Sequence, residues 1–405
     1  GKILNIPRKH LLAALIMSVA AAFIICGYEF ARGPSYTLFK KAYGSENLPI
    51  AMMFMPLGMY ILLYAYGRIL SWLGPKRTFI FTMFLYSMIF LALYFAILGG
   101  SSVATVILFV FREAYILILI EQYWSFLNST FSEDSAKKIN GPVIGVSGIG
   151  GVLGGYMVGH YAVALGTVNM LLFAVILMLP AAVLVAFAFK YCGEPHISRD
   201  EKKEHHGYLA LGLFKNSPLA FLFFVVVAAG VLSTALDLRF QGLLQIALPS
   251  TDEQTAFLGT FFAWAQGLSL FWQFILTPIA LRYFSIRAIQ IFIPAVHIIS
   301  SITIFIFPSF MVAGVALLLF KILDYSLFRA AKEILYIPLS FDARYRTKEV
   351  IDTFAGRGAK GVISTFVFVL TKAGAATSSL YLAMSFVASI SWFCLIIPMM
   401  KYYKK

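Results

Sequence analysis

Residues 192–217, CGEPHISRDEKKEHHGYLALGLFKNS, are the longest polar stretch of a 405-residue chain and lie near its middle. On one side stands 170–190, MLLFAVILMLPAAVLVAFAFK, and on the other 218–240, PLAFLFFVVVAAGVLSTALDLRF. Each matches the run of about 20 apolar residues that a membrane-spanning helix needs. Working outward, six such segments precede the polar stretch, at roughly 10–31, 48–71, 78–98, 103–127, 141–163 and 167–190. Six more follow, at roughly 218–244, 255–281, 286–306, 310–336, 352–372 and 377–401. The expected organisation is an N-terminal six-helix bundle (1–191), a cytoplasmic linker (192–217) and a C-terminal six-helix bundle (218–405).

Composition excludes the soluble alternatives. The chain is 60% hydrophobic and 12% charged, with a mean hydropathy of +0.86. Soluble domains carry about 25% charged residues, so too little polar surface exists to cover them here. A membrane β-barrel would show short alternating segments instead of long apolar runs. A net charge of +14 does not point to nucleic acid, because membrane proteins gather Lys and Arg on their cytoplasmic loops. Of 32 basic residues, 19 fall on loops of one side (Lys76, Arg77, Arg199, Arg344 and Lys401 among them) and 3 on the other (Lys40, Lys41, Lys372). That bias puts both termini and the linker in the cytoplasm, with the bacterial inner membrane as the expected location. Lys2, Arg8 and Lys9 precede a long apolar run without a clear cleavage site, which reads as a retained first helix; the start at Gly1 suggests trimming from a longer polypeptide. Cys26, Cys192 and Cys394 lie too far apart for a zinc site or a disulfide framework.

Six plus six helices, a long cytoplasmic linker and short outer loops describe a major facilitator-like arrangement in an all-α polytopic membrane protein. Gly67, Ser71, Gly74, Lys76 and Arg77 follow the facilitator loop pattern after the second segment, with Ser71 where that pattern has Asp. The fifth segment holds Gly141, Gly145, Gly148, Gly150, Gly151, Gly154, Gly155 and Gly159. No GxxxxGK[ST] and no strand accompany them, so they read as close helix packing through small residues.

Charges inside the membrane cost about 2.5–3.5 kcal/mol each on insertion scales and call for a partner or a function. The first segment carries Glu29 and Arg32, the fourth Arg112, Glu113 and Glu121, and the seventh Asp237 and Arg239. The tenth carries Lys321, Asp324, Arg329, Lys332 and Glu333; the eleventh opens with Asp352, Arg357 and Lys360. In the facilitator layout segments 1, 4, 7 and 10 line the central cavity. Arg32 and Lys321 are the expected contacts for an anionic solute. Glu29 should pair with Arg32, and Asp324 with Lys321, each at i,i+3. Tyr28, Tyr36, Tyr60, Tyr123, Trp124 and Trp264 suit either base stacking or helix packing. His160 and His297 suit proton transfer or, as buried histidines usually do, a hydrogen-bonded place in the core. No HExxH and no GxSxG occurs, so neither catalysis, metal nor cofactor is expected.

One block carries a family resemblance. Tyr325-Ser326-Leu327-Phe328, Lys332-Glu333 and Tyr336-Ile337-Pro338-Leu339, then the basic run Arg344 to Lys348, Ile351-Asp352 and Arg357-Gly358-Ala359-Lys360, resemble the ATP/ADP translocase family of plastids and intracellular bacteria. Tyr28 and Arg32, Trp124 and Asn128, Asp237, and Glu253 with Phe257 and Gly259 extend the likeness over both halves. There are departures. Gly33-Pro34-Ser35-Tyr36 stands where the family has a Lys-Asp pair, Gln241 where it has Lys, Asp324 where it has Lys and Arg329 where it has Asp. The resemblance implies a secondary transporter that moves a nucleotide or related phosphorylated anion by alternating access, by exchange; a monomer in the lipid bilayer is expected. Arg32, Lys321, Tyr28, Asn128 and Asp237 would bind substrate; Glu29, Glu113, Asp324, Lys332, Glu333, Arg357 and Lys360 would couple or gate. Two other expectations stand beside it: a lipid or lipid-linked phosphate translocator of the same fold, and a non-transporting anchor or sensor module of a larger protein.

Overall fold

The computed structural model describes residues 7–131, 133–193, 218–336, 351–374 and 377–402, with side chains described for all of these but 133–140, 218, 352–354, 357, 377 and 402. The central linker beyond Gly193, Ile337-Pro338-Leu339 and the run Arg344 to Lys348 therefore lie outside the described residues. Nearly every described residue is helical, and no strand occurs among them.

The first half of the chain forms α1 (Arg8–Tyr43), α2 (Leu48–Leu98), α3 (Ser102–Thr130), α4 (Glu133–Leu165) and α5 (Met170–Cys192). The second forms α6 (Pro218–Ala247), α7 (Thr251–Phe271), α8 (Thr277–Tyr283), α9 (Ile286–Ile306), α10 (Phe310–Leu323), α11 (Arg329–Tyr336), α12 (Ala359–Lys372) and α13 (Thr377–Tyr402). Three π-helical turns, Trp272–Leu276, Asp324–Phe328 and Ile351–Gly358, lead into α8, α11 and α12. Local signals set several starts: the hydroxyls of Ser101, Ser285 and Ser309 accept from the backbone N–H three residues on, which satisfies a helix-end donor.

Among the described residues, nine helical stretches are long and apolar enough to cross a membrane, against twelve expected. The difference has physical sources. The second and third expected segments run together through α2, where Gly74 at φ 72° breaks the helix, a conformation open to glycine. The eighth and eleventh expected segments fall outside the nine; Gln266 and Gln273 make the one less apolar, and Asp352, Arg357 and Lys360 the other. Large apolar side chains face outward along these helices, Trp72, Tyr60, Ile246 and Phe305 among them, as lipid contact requires.

Two compact units form. The first gathers Gly1–Gly44, Leu57–Glu204 and Leu248–Gly267; the second gathers Ser45–Pro56, His205–Ala247 and Leu268–Lys405. In the first, α1 is the hub against α3, α4 and α5, burying Ala13, Ala14, Met17, Ala20, Ala21 and Ile24 at helical spacing. The glycines of α4 explain how closely the helices approach. A Cβ on Gly154 would lie 2.6 Å from the Cys26 carbonyl oxygen of α1. One on Gly155 would lie 2.7 Å from both the Gly259 oxygen and the Ala263 nitrogen of α7. The expected small-residue packing is thus two-sided: one glycine face meets α1, the other meets α7. A hydroxyl relay closes the same region. Thr37 and Thr255 hydroxyls lie 2.6 Å apart, Thr255 and Thr167 2.9 Å apart, and the Thr167 backbone N–H donates to Asp252 over 2.7 Å.

In the second unit α6 is the hub, packed on α13, α10 and α12, while α9 lies on α13. The inward face of α9 is unexpectedly polar. Gln290, His297 and Ser301 are buried on one stripe, and His297 sits between the rings of Phe320 and Trp392, 5.3 and 5.6 Å away. Burial of His297 was expected; a hydrogen-bond partner was too, yet neither ring nitrogen has one among the described residues.

Candidate functional site

The first unit holds a buried charge centre built on α1 and α3. Glu29 and Arg32 share one face of α1 at i,i+3, and Arg32 Nη1 lies 3.3 Å from Glu29 Oε1. The Arg32 guanidinium also lies 3.7 Å from the ring centre of Phe262 on α7 and 5.6 Å from that of Tyr28. On α3, Arg112 is buried and lies 3.5 Å from Glu113, its own neighbour in sequence. Arg112 donates to the Arg32 carbonyl oxygen over 3.0 Å and stacks on Tyr36 and Phe109, 4.2 and 4.4 Å from their ring centres. The Tyr28 hydroxyl donates to Glu113 over 2.8 Å, tying α1 to α3. Two guanidinium groups and two carboxylates thus meet in one cluster, each charge answered.

Pro34 lies within α1 beside this cluster. The Arg32 carbonyl accepts from the Ser35 hydroxyl over 2.8 Å as well as from Arg112. Exposure grades the members. Glu29 is 1% exposed, whereas the Arg32 and Glu113 side chains retain 11% and 29%. Arg32 is the cation of this cluster with an accessible edge. Asn128 stands apart, exposed on a polar face of α3 with Glu121 and Ser125.

The second unit holds a different centre around the Asp324–Phe328 π-helical turn. Part-buried Asp324 lies in the field of Arg329, Lys332, Lys360 and Lys321, in falling order of strength. Tyr325 lies between two of these cations, with Lys321 Nζ 6.0 Å and the Arg329 guanidinium 5.8 Å from its ring centre. Lys321 is part-buried; Arg329 and Lys360 are exposed. Lys321 and Asp324 do not form the close i,i+3 pair that Arg32 and Glu29 do, since the wider turn begins at Asp324 itself. Lys332 and Glu333 follow on α11, and Asp237 is part-buried on α6. The side chains of Arg357 and Asp352 lie outside the described residues.

Sequence reading missed Phe262 as the platform under Arg32, and the Tyr28–Glu113 bond. It named Tyr36 for stacking, and the ring does stack, on Arg112. Tyr60 and Trp264 face outward. His160 is exposed beside Tyr156 and Tyr161. No cluster of three metal-ligating side chains occurs among the described residues.

The backbone resembles several solved transporters. A bacterial homologue of the iron transporter ferroportin, inward-facing, matches with TM-score 0.71 at 12% identity, over 98% of this chain and 99% of that one. A D-xylose-proton symporter matches with TM-score 0.67 at 12% identity, over 95% and 97%. A point mutant of the nucleoside transporter NupG matches with TM-score 0.63 at 13% identity, over 97% and 100%. These define the class: an integral membrane protein with the major facilitator-like transporter fold.

Sequence narrows the class. Residues 275–403 match the family model described as TLC ATP/ADP transporter. ADP,ATP carrier protein 3 of Rickettsia prowazekii is 24% identical over 363 residues, 76% of this chain and 72% of that protein. ADP,ATP carrier protein 1 of Chlamydia muridarum is 24% identical over 168 residues, so this chain spans about a third (32%) of that relative's length. Over residues 275–403, and more weakly along much of its length, the chain is thus similar to the ATP/ADP translocases, at a divergent distance.

Proposed function

We propose that this protein is a secondary carrier that moves a nucleotide, ATP/ADP-like, or a related phosphorylated anion by alternating access, in exchange for another. The observation that carries this reading is Arg32: a guanidinium within a membrane helix, stacked on Phe262, with an accessible edge and an internal carboxylate at 3.3 Å. A membrane-embedded cation needs an anion, and Glu29 supplies it until a phosphate displaces it. Lys321 beside Tyr325 offers a cation of the same kind in the second unit. Tyr28, Asn128 and Asp237 complete the proposed substrate contacts. Glu29, Glu113, Asp324, Lys332, Glu333, Arg357 and Lys360 are the proposed coupling or gating groups.

The proposed setting is the bacterial inner membrane, with twelve spans, a cytoplasmic linker at 192–217 and both termini cytoplasmic. The proposed state is a monomer, and no enzymatic step or resident cofactor is invoked. Protein in proteoliposomes loaded with ADP should take up labelled ATP, and liposomes without internal nucleotide should not. Nucleotide at about 100 times its dissociation constant should stabilise the fold by about 2.7 kcal/mol, read as a melting shift. No shift and no competition by nucleotides, with a shift from another phosphorylated anion, would replace the substrate and keep the carrier.

A further inference from the structure

Arg239 on α6 has no carboxylate within ion-pair distance among the described residues. Its Nη1 donates to the Ser378 hydroxyl over 2.5 Å, while its buried Nε has no partner among the described residues. Neither of the two ion pairs seen among those residues involves it. A charge of this kind on a membrane helix is costly unless something outside the helix answers it.

What lies next to it indicates what does. An apolar slot of about 930 Å³ runs between α12 and α13, floored by α6, wholly within the second unit. Phe224 and Val231 come from α6, Phe366 and Leu370 from α12, and Ala383 and Leu395 from α13. From Leu380 to Leu395 the slot follows α13 for about 22 Å at 1.5 Å per residue. α12 and α13 each pack on α6 rather than on each other, which leaves the gap. One end of the slot, at Leu380, is two residues from Ser378 and so adjacent to Arg239; Leu370 is two residues from exposed Lys372. Arg239 and Lys372 do not line the slot but stand just beyond its Leu380 and Leu370 end. That is the complement of a phospholipid: an acyl chain for the slot and a phosphate for the guanidinium.

We propose that the slot between α12 and α13 is a binding site for a phospholipid of the surrounding bilayer, its phosphate held by Arg239 with Lys372 nearby and its acyl chain lying along α13. The lipid is a bound component and not the transported solute, so the site stands whether or not the carrier moves nucleotides. Inside the bilayer no hydrophobic transfer favours the slot, so the chain is held there by van der Waals packing on three helices and by the headgroup contact.

The test uses the whole protein in nanodiscs of phosphatidylglycerol doped with an analogue carrying a photoactivatable acyl chain, followed by peptide mapping. Labelling should concentrate on α13 between Leu380 and Leu395 and on the facing α12. Ala383→Trp, which fills the slot, and Arg239→Gln, which removes the cation, should each lower that labelling about tenfold. Ile299→Trp, on an exposed face of α9, should leave it unchanged. Monodisperse elution and melting confirm folded protein in each case; Val387→Trp replaces Ala383→Trp if that variant fails to fold. Labelling spread evenly over the lipid-facing helices, or unaffected by filling the slot, overturns the proposal. Loss with Ala383→Trp but not with Arg239→Gln overturns the assignment of the phosphate to Arg239.

Discussion

The two charge centres solve the same problem in opposite ways. In the first unit Arg32, Glu29, Arg112 and Glu113 balance, two against two, on α-helix, and Arg112 is buried against the touching rings of Tyr36 and Phe109. In the second unit four cations surround Asp324 at a π-helical turn, and two of them, Arg329 and Lys360, are exposed. All three π-helical turns of the described residues belong to the second unit. Such turns widen a helix locally and are frequent at functional sites. A balanced buried cluster stores its own counter-ions and resists change. The contrast is between a cluster closed on itself and one with two of its cations, Arg329 and Lys360, exposed.

The comparison breaks most readily at Arg112. Arg112→Leu removes the cation beside Glu113 and one of the two donors to the Arg32 carbonyl, and breaking a fully buried pair costs about 3–5 kcal/mol, an upper bound here because Glu113 is part-exposed. Yield and melting temperature should both fall sharply. Arg112→Met combined with Glu113→Gln, which removes both charges, should recover much of the loss. Equal damage from the single and the double change would mean that Arg112 acts through packing on Tyr36 and Phe109 alone.

Next in size are the two proposed ligand cations. Arg32→Gln and Lys321→Gln should each weaken nucleotide binding more than tenfold, or by over about 1.4 kcal/mol. Because Arg32→Gln also strands Glu29, the pair change Glu29→Gln with Arg32→Gln keeps the test clean. If binding by the folded fraction is unaltered while melting falls, Arg32 belongs wholly with Arg112 as a structural group. Glu29→Gln alone removes the internal competitor for Arg32 and should tighten nucleotide binding, by less than about tenfold. Weaker binding would show that Glu29 positions Arg32 for its ligand.

The smallest effect is expected at the exposed edge of the second centre. Arg329→Gln and Lys360→Gln should each change stability by less than about 1 kcal/mol, as exposed charges do. Nucleotide association should nonetheless slow and lose part of its salt dependence, measured by stopped flow at rising ionic strength. An association rate indifferent to both changes removes the second centre from substrate capture.

Much of this could be read along the chain, because it is local. The apolar segments, the Glu29–Arg32 pair at i,i+3 and the glycine packing of the fifth segment follow from helical spacing alone. What could not be read joins distant residues or breaks the helical period. Tyr28 and Glu113 are 85 positions apart, and Phe262 reaches Arg32 from a helix of the second half. The π-helical turn at Asp324 upset the i,i+3 pairing expected for Lys321, since it alters the spacing on which the rule rests. Gln290 and Ser301 passed unnoticed, because single polar residues in an apolar run carry no periodic signal. His297 is legible as a buried histidine, but that its ring nitrogens lack partners among the described residues follows only from the placing of Phe320 and Trp392 around it.

The glycine face that α4 turns toward α7 has a consequence for the order of biosynthesis. Gly155 and Gly159 meet Gly259 and its neighbours, so the first unit includes residues made after the central linker. A ribosome that has just finished residue 217 has made all five helices of the first half and still lacks the strip that covers those glycines. The first unit therefore completes only once the chain has grown to Gly267, and its earlier helices wait in the bilayer with a bare glycine groove. Nascent chains stalled after residue 217 should remain open to protease at the ends of α1 and α4. Chains stalled with α7 fully emerged should resist it. The gene order thus sets a checkpoint: the second half must begin to insert before the first can be finished.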